Sequence, residues 1–223
     1  MIDGAYFHDY RIVIGSGAHF ECMFLNGGRN ITVRNSRFAN CAFYDIFVAR
    51  RSGDPFDGLT IENNWFDTPW NEANSGPAQV RDGAVAFSHG GQTNYPWKNV
   101  LVRFNSFHAS TGISWNEDYT AYATSNNRAI GNIFENQTCD ARWTMAYNLV
   151  NGRACSATDR NIGTAFPYAN PGHLPNGDWH LTPASTAVDY VPTSQSDSNL
   201  GNDIDGQSRP MGSARDAGAD EAG

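Results

Sequence analysis

Four segments share one grammar, and that repetition narrows the fold more than any other feature of the chain. They are Ile31-Thr-Val-Arg-Asn-Ser-Arg-Phe38, Leu59-Thr-Ile-Glu-Asn-Asn-Trp-Phe66, Val100-Leu-Val-Arg-Phe-Asn-Ser-Phe107 and Arg128-Ala-Ile-Gly-Asn-Ile-Phe134. Each alternates apolar residues, turns through Asn or Ser, and closes on an aromatic. A weaker copy, Ile2-Asp-Gly-Ala-Tyr-Phe7, opens the chain. The closing residues Phe7, Phe38, Phe66, Phe107 and Phe134 are spaced by 31, 28, 41 and 27 residues. Periods of this size mark stacked units, and uneven periods mark loops of different length on a constant core.

Period-two alternation predicts strands. A second short apolar element follows each Phe: Cys22-Met-Phe-Leu25, Asp45-Ile-Phe-Val48, Ala84-Val-Ala-Phe87 and Gly112-Ile-Ser-Trp115. A third short strand carries the Phe itself. Three short strands per turn with Gly and Asn at the corners describe an all-β fold, a single-stranded parallel β-helix. No helical pattern separates the strands, which disfavours Rossmann and barrel folds. Ser36, Asn64, Asn105, Asn132 and Asn148 recur at the polar turn. Strands stacked about 4.8 Å apart would let these side chains bond along the stack, a structural ladder. Arg34, Glu62 and Arg103 alternate in sign on successive rungs and read as an ion-pair ladder on a solvated face.

From about residue 151 Pro and Gly rise and the alternation fades. We therefore expect one domain, with rungs over 1–150 and an irregular C-terminal cap over 151–223 that covers an otherwise sticky β-edge. Residues 2–7 already read as a rung, so natural relatives are expected to carry more sequence upstream. No basic and apolar leader follows Met1.

Composition removes several function classes. The formal net charge of −8, with Lys98 the sole lysine, argues against nucleic acid. No apolar run approaches the roughly 20 residues of a membrane span. Cys22, Cys41, Cys139 and Cys155 lack zinc-knuckle spacing and form an even set, which favours disulfides and an oxidising compartment. We predict a Cys139–Cys155 bond, and a Cys22–Cys41 bond if the two meet across neighbouring rungs. Asp203-Ile-Asp-Gly206 begins like a calcium loop but lacks its further oxygen ligands, so calcium is the one cofactor suggested and no metal ligands are named.

The rung grammar and the Asn ladder resemble those of the right-handed parallel β-helix proteins of the pectate-lyase-like superfamily. The tail strengthens the likeness. Asp178-Trp-His-Leu-Thr-Pro-Ala-Ser-Thr-Ala-Val-Asp189, Asp203-Ile-Asp-Gly-Gln-Ser-Arg-Pro210 and Asp216-Ala-Gly-Ala-Asp-Glu221 are similar to the terminal segment of bacterial secreted β-helix proteins. Thr186 replaces a usual Pro, and Asp220 a usual aromatic. The resemblance implies secretion or a cell-surface location and a polysaccharide partner, and we expect a monomer. Members include lyases, hydrolases and epimerases, and also inert adhesins. No polygalacturonase or lyase signature is present, and fold alone does not give function.

In such proteins the groove follows the second element. Aligned on Val48, Phe87 and Trp115, the residues two positions beyond are Arg50, His89 and Glu117, with Arg51 and Asp118 beside them. A cation, an imidazole and a carboxylate on adjacent rungs suit acid–base work near neutral pH. A long loop over 67–82, with Trp70, Glu72, Arg81 and Asp82, is expected to overhang them, and Trp70 to stack on a sugar ring. The same row also has a purely structural reading as a charge ladder. His108, in register with Asp67 and Glu135, reads as a turn residue. His8, His19, His173 and His180 show no partner. A hydrolase needs two carboxyls about 5–10 Å apart, and no such pair is visible. A lyase acting on a uronate needs a cation for the carboxylate, Arg50 or Arg81, and a base, His89. The rival reading is a non-catalytic carbohydrate-binding or surface module.

Overall fold

The computed structural model describes residues 1–10, 21–41, 43–49, 56–68, 84–88, 97–109, 112–115, 125–198 and 200–222. Within them the chain returns again and again to the same positions. A first pass lays down β1 (Ile2–Asp3), β2 (Tyr6–His8) and β3 (Met23–Asn26). A second gives β4 (Gly28–Arg34), β5 (Arg37–Ala39) and β6 (Ile46–Ala49), and a third β7 (Phe56–Glu62), β8 (Trp65–Thr68) and β9 (Val85–Ser88). A fourth gives β10 (Lys98–Arg103), β11 (Ser106–Ala109) and β12 (Ile113–Trp115). Then come β13 (Arg128–Ile130), β14 (Ile133–Phe134), β15 (Thr144–Ala146), β16 (Leu149–Val150) and β17 (Arg160–Asn161).

Strands of successive passes pair in parallel. Sheet A runs β1-β4-β7-β10-β13-β15, sheet B β2-β5-β8-β11-β14-β16-β17, and sheet C β3-β6-β9-β12. The fold is all-β with long parallel sheets stacked in register, consistent with a β-helix. Among the described residues helix is confined to a 3-10 turn at Ser196–Ser198, and no helix is long and apolar enough to cross a membrane.

The repeated Phe residues form one internal column on sheet B. Ring centroids from Phe7 through Phe38, Phe66 and Phe107 to Phe134 are 5.0, 5.0, 4.7 and 4.8 Å apart. All but Phe7 are fully buried. Each such ring contributes about 2 kcal/mol or more through burial, and the offset stacking adds to it.

The corner between sheets A and B repeats just as strictly. One residue per pass takes a left-handed conformation: Gly4, Asn35, Asn63, Phe104, Gly131 and Tyr147. From Asn35 onward the next residue belongs to the polar ladder, and in the first pass Ala5 N–H donates to Ser36 Oγ. Ser36 N–H donates to Asn64 Oδ1, Asn64 to Asn105, Asn105 to Asn132 and Asn132 to Asn148, each at 3.0 Å. Asp159 ends the ladder by accepting from Asn148 N at 2.8 Å. Asn and Gly tolerate the left-handed corner, whereas Phe104 and Tyr147 sit there at a cost of about 1 kcal/mol or more. Their rings offset that cost by packing outward. Arg209 lies over Phe104 at 4.8 Å, and Tyr147 meets Tyr190 at 6.4 Å.

The charge ladder differs from expectation in one respect. Arg34 bonds Asp3 at 2.7 Å, while Arg103 grips Glu62 at 2.7 and 2.9 Å, so the row is two pairs and not one run. The second pair is largely buried, because Arg103 also donates to the Asp197 carbonyl of the C-terminal segment. Both expected disulfides are present, Cys22–Cys41 and Cys139–Cys155, with Cα separations of 5.5 and 5.2 Å.

The C-terminal segment packs along the outside of sheet B. It contains an antiparallel hairpin, β18 (Tyr168–Asn170) and β19 (Asp178–Leu181). Tyr168, Trp179, Leu181, Ala187, Val191, Ala217 and Ala219 bury themselves against Trp65, Phe104, Ile133 and Leu149. Gly218 makes the closest approach possible: a Cβ there would meet Ile133 at 2.7 Å, and its φ of 91° is left-handed as well. The acidic tail residues organise backbone. Asp203 accepts from the N–H groups of Asp205, Gln207 and Glu221, and Asp216 from those of Asp189 and Ala222. Asp203 thus organises this turn through both its oxygens.

Candidate functional site

The eight residues that the sequence put forward, Arg50, Arg51, Trp70, Arg81, Asp82, His89, Glu117 and Asp118, lie outside the described residues. The register behind their alignment is present: Val48 pairs Phe87, and Phe87 pairs Trp115. The strands end at Ala49, Ser88 and Trp115, just before the charged positions. One boundary shifts, since Asp67 and Thr68 belong to β8 and not to a loop.

A second chemical surface lies on the outer face of sheet B. Period two sends residues on either side of the buried Phe column outward. One outward row is Tyr6, Arg37, Trp65, Ser106, Ile133 and Leu149. The other is His8, Ala39, Asp67 and His108, with Glu135 following one pass on. His108 is therefore a strand residue of β11 and not a turn residue.

The hairpin completes this row with a side chain from far along the chain. His173, in the connection between β18 and β19, stacks on His108 with ring centroids 4.4 Å apart and an angle of 18°. His173 Nδ1 is 2.7 Å from Asp67 Oδ1, and Leu174 N–H donates to Asp67 Oδ2 at 2.5 Å. His108 Nδ1 stands 3.7 Å from the same Asp67 oxygen, and its Nε2 stands 3.7 Å from Glu135 Oε2. The His108 Nδ1 atom is buried without a hydrogen-bond partner. The edge of the Trp179 ring closes the group, 5.5 Å from the His108 centroid.

Burial governs the charges here. It pushes the His108 imidazole down to about 4, with the neighbouring His173 adding to the effect. Burial also raises Asp67, against the hydrogen bond from His173, and raises Glu135. His108 is thus a neutral imidazole at ordinary pH. Asp67, His108 and His173 hold one ligand atom each within 4.8 Å of one another.

Asp67 also lines a cleft of about 510 Å³ with Tyr6, His8, Asp9, Asn40 and Pro175. A smaller recess of about 180 Å³ shares Tyr6, Leu174 and Pro175 and adds Arg37, Trp65 and His180. Tyr6, 49% exposed, lines both, with its ring stacked on His8 at 4.4 Å. His180 is fully paired, Nδ1 to Asp178 at 2.5 Å and Nε2 to Asp205 at 2.9 Å. His8 pairs with Asp9 at 2.9 Å. Of the four histidines that showed no partner in the sequence, His8, His173 and His180 therefore each have one, and His19 lies outside the described residues. The repeat revealed the Asp67–His108–Glu135 row, but nothing in it could reveal His173, 106 residues from Asp67.

Comparison with protein-family models, with curated proteins and with solved structures gives no match.

Proposed function

We propose that the chain is a right-handed parallel β-helix of the pectate-lyase-like kind that acts on a uronic-acid-containing polysaccharide outside the cell, as a monomer and by a lyase reaction. The observation that carries the reading is the register of sheet C. Val48, Phe87 and Trp115 share one row, and each is followed two residues later by a residue that the reaction needs. Arg50 or Arg81 neutralises the uronate carboxylate, which acidifies the adjacent C–H; His89 removes that proton, the electron pair forms the C4–C5 double bond as the C4–O glycosidic bond breaks, and the leaving oxygen takes a proton from water. Glu117 supports the imidazole. Arg51, Trp70, Asp82 and Asp118 line the path of the polymer. The two disulfides are compatible with an oxidising exterior.

The test is incubation with a panel of uronate polymers, followed by the ultraviolet absorbance of unsaturated product ends. The absorbance should rise with the native protein and stay flat with His89→Ala, whose circular dichroism should be unchanged. Unchanged turnover in that variant removes His89 from the mechanism. No product from any polymer favours the second reading, a non-catalytic carbohydrate-binding module. One observation speaks for that alternative: Tyr6 is exposed and lines two adjoining clefts, the sort of platform on which a sugar stacks. A Tyr6→Ala variant should then lose retardation in polysaccharide-containing gels.

A further inference from the structure

We infer that Asp67, His108 and His173 form a binding site for one divalent transition-metal ion of the zinc class, with Glu135 as the positioning residue behind His108. This inference is independent of the polysaccharide reading, because it rests on sheet B and the hairpin and not on sheet C.

Geometry is the first argument. A tetrahedral zinc ion with bonds of about 2.0–2.1 Å sets its donor atoms about 3.3 Å apart. Asp67 Oδ1 lies 2.7 Å from His173 Nδ1 and 3.7 Å from His108 Nδ1. The ion would widen one distance and shorten the other by about half an ångström each. Both imidazoles place the same atom, Nδ1, near one carboxylate oxygen, although they come from chain segments far apart; because the rings are stacked at 18°, the half-exposed His173 ring would turn out of the stack to bring both lone pairs onto one ion.

The orphaned nitrogen is the second argument. A buried polar atom without a partner is costly, and His108 Nδ1 is such an atom. A hydrogen bond to Asp67 would relieve it only if that oxygen, already engaged by His173, came closer. A shared cation relieves it with a smaller approach, to about 3.3 Å between the two donor atoms. The other face of the ring fits the same picture. A histidine that ligates through one nitrogen commonly donates its other N–H to a carboxylate, and Glu135 stands 3.7 Å from His108 Nε2.

Ligand type selects the metal. Two imidazoles and one carboxylate suit zinc, cobalt or iron, whereas calcium and magnesium want oxygen donors throughout. Three protein ligands leave a coordination position, and Asp67 borders the 510 Å³ cleft from which water or a ligand oxygen would fill it. The neighbouring group of His180, Asp205 and Asp220 makes an internal contrast. Its ligand atoms are just as close, but both His180 nitrogens are already paired, so it holds no orphaned imidazole nitrogen like that of His108.

The experiment uses the intact protein, dialysed against a chelator and then titrated with cobalt(II) and zinc chloride. One equivalent of cobalt should bind with visible d–d absorption, and zinc should displace it. His108→Ala should abolish the absorption, Glu135→Gln should weaken binding roughly 10- to 100-fold, and His180→Gln should leave it intact. Absence of stoichiometric binding overturns the inference, as does binding that survives His108→Ala or vanishes with His180→Gln. Histidine ring NMR of the unmutated protein gives a readout that needs no variant. The His108 and His173 signals should move on adding zinc while that of His180 stays, and the opposite pattern overturns the inference.

Discussion

The stacked rungs and the C-terminal segment are held together in opposite ways. In the rungs each contact is a copy of the one below it: Phe on Phe, Asn on Asn, strand on parallel strand. In the C-terminal segment every contact is unique. Arg209 is wholly buried, ion-paired to Glu221 at 3.2 Å, and donates to the carbonyls of Asp216 and Gly218. Asp67 holds His173, and Ser106 Oγ accepts from Ala219 N–H. Repetition spreads stability over many equal steps, whereas a unique network concentrates it in a few groups that fail when one partner is lost. The described cluster of titratable groups lies on the seam between the two regions. There a regular sheet supplies fixed positions, and an irregular segment supplies burial and the last side chain.

Three measurements would sharpen or break this contrast. The largest effect is expected from Phe66→Ala, in the middle of the internal column. Removing a fully buried ring between two stacked neighbours should cost about 4 kcal/mol. Urea unfolding should show the whole molecule destabilised, because each ring supports the next. A loss below about 1 kcal/mol would mean that the column is not a main stabiliser.

Glu221→Ala should cost about 3 kcal/mol, by stranding the buried Arg209 charge and releasing the N–H groups of Met211 and Asp216. Hydrogen exchange should locate the damage. Amides of the C-terminal segment should exchange faster, while those beside Asn64, Asn105 and Asn132 stay protected. Equal loss of protection throughout would show that the segment and the stack unfold as one unit, which would erase the contrast.

The smallest effect concerns pH. Burial disfavours the charged form of His180, but its hydrogen bond to the Asp178 carboxylate and the nearby Asp220 and Asp205 carboxylates prevail, and its pKa is raised. Arg37, which pairs with Asp205, opposes it, and Trp65 meets the imidazole edge-on. A raised folded-state value stabilises the protein fully below the unfolded value of about 6.5 and ceases to do so as pH rises through the folded value. The thermal midpoint of the native protein should therefore exceed that of His180→Gln by more at mildly acid than at mildly alkaline pH. A difference independent of pH would show that the carboxylates around His180 do not hold its proton.

Much of the stack was readable because its contacts are local in pattern. A residue and its copy one period later become neighbours. The column from Phe7 to Phe134, the ladder from Ser36 to Asn148 and the row Val48–Phe87–Trp115 follow from that rule. So does the adjacency of Asp67, His108 and Glu135, though not the fact that they lie within and beside strands. Pairing in the charge row was less readable. Sign alternation does not say which way Arg34 turns, and it turned to Asp3.

The sequence alone determined the parallel stacking, the internal Phe column and the polar ladder, since each depends only on spacing and on the two-residue period of a strand, whereas the Cys22–Cys41 bond needed the structure to bring the two together. The tertiary structure alone decided that the C-terminal segment lies along the outside of sheet B, that Phe104 and Tyr147 occupy left-handed corners, and that His173 reaches Asp67. Those contacts join residues with no shared period. They are set by burial of Trp179 and its neighbours against an apolar patch on the stack, which no interval in the sequence records.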